Sequence, residues 1–182
     1  PIRAGFDRKM SNFEINQLTL HKYSGPIILV KNKQGLQIAI QELMKEKLLG
    51  FDIEIRPAFK KGQSYQPSLL QLAGEKGVFI IQLKRLGIQN NLLNLLENPK
   101  IIKAGVGIDF DVIKLREIRQ FAKQGFIDLA KIAKRAGLKN FGLRGLAAVL
   151  LGFRIPKGAQ TTNWAKENLT DQQLRYAATD AW

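Results

Sequence analysis

Four carboxylates on three distant segments constrain this chain more than any other feature. Asp52 and Glu54 lie in Phe51-Asp-Ile-Glu-Ile55, Asp111 in Gly107-Ile-Asp-Phe-Asp111, and Asp180 in Tyr176-Ala-Ala-Thr-Asp180. A fold that uses them together must bring a strand, a strand–helix junction and a C-terminal helix to one point. On a strand, alternate side chains share a face, so Asp52 and Glu54 point the same way while Ile53 enters the core. Acids are depleted in strands, and two of them side by side repel unless a cation sits between them. Asp111 follows a strand and opens a helix, where an aspartate also serves as an N-cap, and Asp109 competes for either role. Tyr176 and Asp180 are four apart on a helix and share a face. Ala177, Ala178 and Ala181 are small enough to let that face approach a sheet closely. An acid near a helix C-terminus opposes the macrodipole, so capping does not account for Asp180.

The remaining sequence supplies the scaffold. Residues 1–24 lack clear periodicity and read as an arm, packed on the domain or partly mobile. Residues 25–182 read as one domain. Strands are expected at 26–30, 50–55, 68–73, 78–83 and 100–108, with Gly74–Gly77 as a hairpin turn. Helices are expected at 33–48, 86–97, 111–121, 129–136, 143–151 and 170–182. The last carries a capping box, Thr170-Asp-Gln-Gln173, with Leu169 and Leu174 placed as a hydrophobic staple. Antiparallel strands followed by strand–helix alternation imply an α/β fold, a mixed β-sheet flanked by helices. A final helix would normally continue past Trp182, so the chain reads as cut short of its natural end.

Composition removes several chemistries. There is no cysteine, so disulfides, thiolate zinc sites and cysteine nucleophiles are excluded. The lone histidine, His21, reads as a surface or packing residue. Acid–base work falls to carboxylates, Tyr, Lys or water. The longest apolar runs fall well short of a membrane span, and the first residues do not lead into a signal-peptide core. No membrane and a cytoplasmic location are expected. The net charge is +14, and residues 100–157 hold thirteen Lys/Arg against four acids. Such an excess favours a polyanionic partner, nucleic acid above all. Four hard oxygen ligands beside it suit a pair of divalent cations that cleave a phosphodiester.

Three segments together carry a resemblance. Phe51-Asp-Ile-Glu-Ile-Arg-Pro57, Lys103-Ala-Gly-Val-Gly-Ile-Asp-Phe-Asp-Val-Ile-Lys-Leu115 and Leu174-Arg-Tyr-Ala-Ala-Thr-Asp-Ala181 resemble the three motifs of the DEDD superfamily of exonucleases. The closer resemblance is to its tyrosine-bearing subgroup, that of ribonuclease D and the Werner syndrome exonuclease domain. It runs from about Ile27 to Trp182 and includes Asn163-Trp164. Where the histidine-bearing subgroup has its histidine, this chain has Arg175, and Tyr176 takes the tyrosine position. Ile53 and Ile55 stand where Thr, Met or Trp are common, which leaves the acids intact.

The resemblance implies a ribonuclease-H-like fold and stepwise 3′→5′ release of nucleoside 5′-monophosphates from DNA or RNA with a free 3′ end. It implies two Mg²⁺ or Mn²⁺ ions. Asp52, Glu54 and Asp180 would hold one ion and Asp52 alone the second. Asp111, chosen over Asp109 by family spacing, would anchor through water, and Tyr176 would orient the attacking water. Arg56, Lys60, Lys61 and the helices at 111–121 and 129–136 are expected to track the backbone.

Two other readings compete. A binding module on a degenerate nuclease fold would keep fold and charge but usually lacks a metal acid, and none is missing here. A dinucleotide site at Gly105-Val-Gly107 needs a third glycine where this chain has Phe110.

Overall fold

The computed structural model describes residues 7–157 and 162–182. Six strands form one mixed sheet in the order β1-β4-β3-β2-β5-β6. They are β1 Ile27–Val30, β2 Leu48–Glu54, β3 Leu69–Ala73, β4 Val78–Gln82, β5 Ile102–Gly105 and β6 Phe126–Asp128. β2, β3 and β4 run antiparallel in sequence, as the Gly74–Gly77 hairpin requires, and Gly74 N–H closes that turn on the Gly77 carbonyl at 3.0 Å. β1 joins β4, and β5 and β6 extend from β2, all in parallel.

The helices are α1 Asn12–Gln17, α2 Lys33–Leu43, α3 Leu83–Leu86, α4 Asn90–Glu97, α5 Ile108–Arg116, α6 Leu129–Arg135, α7 Leu143–Leu151 and α8 Asp171–Ala181. Leu49, Phe51 and Ile53 of β2 face a large apolar cluster with α2, α4 and α5. The opposite face carries Leu69, Ala73, Val78 and Ile80 against Tyr176, Ala177, Ala178 and Ala181 of α8. Each fully buried Leu or Ile side chain contributes about 1.5–3 kcal/mol, so these two faces hold the sheet between helices.

Several boundaries differ from the sequence reading. The expected helix at 33–48 stops at Leu43, because Leu48 pairs with Ile102 in the sheet. The expected helix at 86–97 starts only at Asn90, because Gly87, with a left-handed φ of 60°, ends the short α3, which itself begins at Leu83 within the strand expected at 78–83. The expected strand at 100–108 ends at Gly105, and α5 then starts at Ile108, not Asp111. β6 was missed: three residues are too few to show a period of two. The arm holds α1, capped by a Ser11–Glu14 box. Its first six residues lie outside the described ones. Tyr23 N–H donates to Thr179 Oγ1 at 2.9 Å, and Arg175 donates to the Tyr23 carbonyl at 2.9 Å. Among the described residues no helix is long and apolar enough to cross a membrane.

Candidate active site

Gly50, Asp52 and Glu54 form one alternating row on the β2 face that meets α8. A side chain at Gly50 would collide with the Ala181 carbonyl oxygen. The glycine lets α8 lie directly on the strand, and that closeness brings Asp180 over the two strand acids. Oxygen atoms of Asp52, Glu54 and Asp180 all lie within 4.8 Å of one another. The capping box at Thr170 is present, with Gln173 N–H on Thr170 Oγ1 at 3.1 Å, and sets the phase of α8. Leu169 and Leu174 pack on the same apolar cluster as the α8 alanines.

Like charges so close are costly. Two unit charges at 4.8 Å repel by about 3.5 kcal/mol at an effective dielectric near 20. Three such pairs total about 10 kcal/mol, the size of a whole domain's stability of about 5–15 kcal/mol. The three acids cannot all ionise without a counter-charge. Burial, then the neighbouring carboxylates, push Asp52 well above the usual range and Glu54 up to about 8. Burial pushes Asp180 up to about 7, against the hydrogen bond from Tyr176. No lysine or arginine is paired with any of them in the described ion pairs. A hard, compact, oxygen-only donor set of this kind fits a divalent cation.

Asp111 lies inside the first turns of α5 rather than capping it. Gly107, at φ 70°, caps instead, and its N–H donates to Asp128 Oδ1 at 3.1 Å. Asp111 stands outside the tight group of three, yet its charge is felt by both Asp52 and Glu54. Burial and Asp128 push it up to about 7. Asp109 is committed elsewhere: Lys123 and Lys131 both bind it and lower it to about 2.

Tyr176 is buried, and its ring stacks on Trp164 at 5.9 Å. Its hydroxyl reaches Asp180 one turn along. Arg175 turns away toward the arm. Among the basic candidates, Arg56 lies over the Tyr65 ring at 4.2 Å, and Lys60 and Lys61 sit exposed in the turn before Gly62. The bases of α5 and of the turn after it are mostly engaged. Lys114 pairs with Glu117 and Ser64, Arg116 with the Phe121 carbonyl, and Arg119 with the Ile88 carbonyl. His21 stacks on Phe153 at 4.5 Å, away from the acids.

Sequence reasoning missed Gln71. It is fully buried, pairs with Asp52 across β2–β3, donates to the Ala177 carbonyl at 3.2 Å and hydrogen-bonds Glu54. An amide between apolar strand neighbours was the available signal. Also missed was a cleft of about 730 Å³ lined in part by Tyr176 and Asp180. Its walls are the arm at 9–15, the 139–145 segment and residues 155–157.

Comparison with known proteins agrees with this geometry. Residues 27–182 match the 3′-5′ exonuclease family. The bifunctional 3′-5′ exonuclease/ATP-dependent helicase WRN of Mus musculus is 33% identical over 141 residues, covering 74% of this chain and 10% of that protein. Ribonuclease D of Haemophilus influenzae is 35% identical over 128 residues, covering 68% of this chain and 32% of its own length. This chain therefore spans a minor part of such relatives. The Nibbler EXO domain of Aedes aegypti superposes with a TM-score of 0.79 at 23% identity, over 88% of this chain and 86% of that one, and so shares the ribonuclease-H-like fold.

Proposed function

The chain belongs to the 3′-5′ exonuclease family, and from that premise we propose that it hydrolyses the terminal phosphodiester at a free 3′ end of nucleic acid, releasing nucleoside 5′-monophosphates. The observation that carries this is the gathering of Asp52, Glu54 and Asp180 within 4.8 Å, with Asp180 also lining an open cleft. Asp52, Glu54 and Asp180 would hold one divalent ion, Mg²⁺ or Mn²⁺, Asp52 would share a second, and Asp111 would anchor through water. Two such ions, when bound, supply Lewis-acid stabilisation of the attacking and leaving oxygens.

The protein's own groups do the positioning. Tyr176, whose ring stacks on Trp164 and whose hydroxyl acts on Asp180, would orient the attacking water. A phenol with a free pKa of about 10 is a poor base at neutral pH, so the hydroxyl orients rather than deprotonates. Gln71 ties Glu54 to the α8 backbone, keeping strand and helix acids in register. Arg56, Lys60 and Lys61 lie on the segment leaving β2 and would meet phosphates of the substrate.

The test is digestion of matched end-labelled DNA and RNA, single- and double-stranded, in EDTA and in Mg²⁺ or Mn²⁺. Mononucleotide release from the 3′ end in metal and none in EDTA is expected. Undiminished cleavage in EDTA, or internal cuts, would refute the reading.

A further inference from the structure

The cleft lined by Tyr176 and Asp180 has a wall the family match does not include. That match starts at residue 27, whereas Lys9, Met10, Ser11, Asn12 and Ile15 of the arm line the cleft. The arm is fixed there by specific bonds. Met10 N–H donates to Asn140 Oδ1 at 2.9 Å, and Asn140 Nδ2 donates back to the Met10 carbonyl at 3.0 Å. Arg144 reaches Asn16 at 2.5 Å. A buried asparagine that spends both ends of its amide on one backbone residue makes this wall part of the fold, not a loose tail.

The lining has the chemistry of a polyanion track. Lys9, Lys139, Arg144 and Lys157 supply four positive charges, and among the described lining residues Asp180 is the one acid. Lys9, Lys139 and Lys157 are exposed, and none has an ion-pair partner among the described salt bridges. Arg144 Nε is buried without a hydrogen-bond partner. Phe141, half-buried, adds an aromatic surface among these bases, with Lys134 lying 4.9 Å from its ring centre. Interleaved bases and aromatics are how single strands are held without sequence preference. The volume of about 730 Å³ is that of a small-molecule pocket, which suits nucleotides of one strand and not a duplex.

We infer that the arm and the 139–145 segment form the entry track for a single strand, its phosphates on Lys9, Lys139 and Lys157 and its 3′ end delivered to Asp180. The inference rests on the exonuclease reading for the direction of the strand, but binding is measurable without turnover.

The experiment is titration of a fluorescent single-stranded oligonucleotide in EDTA over a series of salt concentrations. The full chain is compared with a triple variant, Lys9→Ala, Lys139→Ala and Lys157→Ala. The slope of log K against log salt should flatten by about 2, at about 0.7 for each phosphate no longer neutralised. The corresponding Lys→Arg triple should retain the wild-type slope. Lys47→Ala, Lys76→Ala and Lys100→Ala together remove equal charge at the far end of the sheet and should leave the slope unchanged. Binding of a blunt duplex should respond to the cleft triple no more than to the distant one. An unchanged slope in the cleft triple, or an equal flattening in the distant triple, overturns the track. Neither result depends on hydrolysis, so failure of the exonuclease reading would show separately, in the digestion assay.

Discussion

Glu54→Gln separates a poised metal ligand from a structural carboxylate, because the two readings predict opposite signs. In the metal-free protein Glu54 is held up at about 8, against 4.5 for an ordinary glutamate. Between those values the folded state keeps a proton that the unfolded state has released. Stability therefore falls as pH rises through that window, and the full cost is present above about pH 8. A shift of that size bounds the cost at about 5 kcal/mol, at 1.36 kcal/mol per unit. Asp180 and Asp52 relieve the same repulsion when they take up a proton, so removing the Glu54 charge alone should recover about 2–3 kcal/mol, given pair repulsions of about 3.5 kcal/mol. For a domain of this length each kcal/mol moves Tm by about 2–4 °C. In EDTA near pH 8, Glu54→Gln should thus melt about 4–12 °C above wild type, with the difference fading toward pH 5. In Mn²⁺ the order should reverse. A ligand at a thousand times its Kd stabilises wild type by about 4.1 kcal/mol, more than the variant recovers in EDTA, and the variant should gain much less. Differential scanning calorimetry across pH, with and without Mn²⁺, reads both effects. If Glu54→Gln lowers Tm in EDTA and Mn²⁺ makes no difference between the proteins, Glu54 is a structural partner of Gln71 and the cation argument fails.

Three further outcomes are expected. Tyr176→Phe keeps the ring on Trp164 but deletes the hydroxyl at Asp180; kcat should fall about 100- to 1000-fold with KM nearly unchanged, and wild-type turnover would reduce Tyr176 to a packing residue. Gly50→Ala drives a methyl into the Ala181 carbonyl and should cost about 1–3 kcal/mol by chemical denaturation, with loss of activity as α8 lifts Asp180 from the strand acids; a stable, fully active variant would refute the close-packing argument. Lys60→Ala with Lys61→Ala should flatten the salt dependence of oligonucleotide binding by about 0.7 for each phosphate those lysines neutralise, while leaving the Mn²⁺-induced rise in Tm intact; an unchanged slope would remove that turn from the nucleic-acid surface.

What the sequence determined by itself was local and periodic. Asp52 and Glu54 share a face because strand side chains alternate, and Tyr176 sits over Asp180 because a helix returns every four residues. The Thr170 box and the Gly74–Gly77 hairpin are also short-range patterns, and both stand in the structure. Motif order was enough for the family and for the mixed sheet under helices. The tertiary structure decided whatever depends on partners far apart in the chain. Gln71 reaches Ala177, and Asn140 reaches Met10, across more than a hundred residues. β6 exists only because β5 offers an edge to its three residues. Lys114, Arg116 and Arg119 look like free charge in the sequence, yet folding turns each onto a protein partner. Asp109 and Asp111 are two residues apart and so about 200° apart around α5, and the packing of that helix sends one to two lysines and the other toward the acids. Sequence carries the identity of charges, but their free energy depends on distance and burial, and those are set by the assembled sheet and helices.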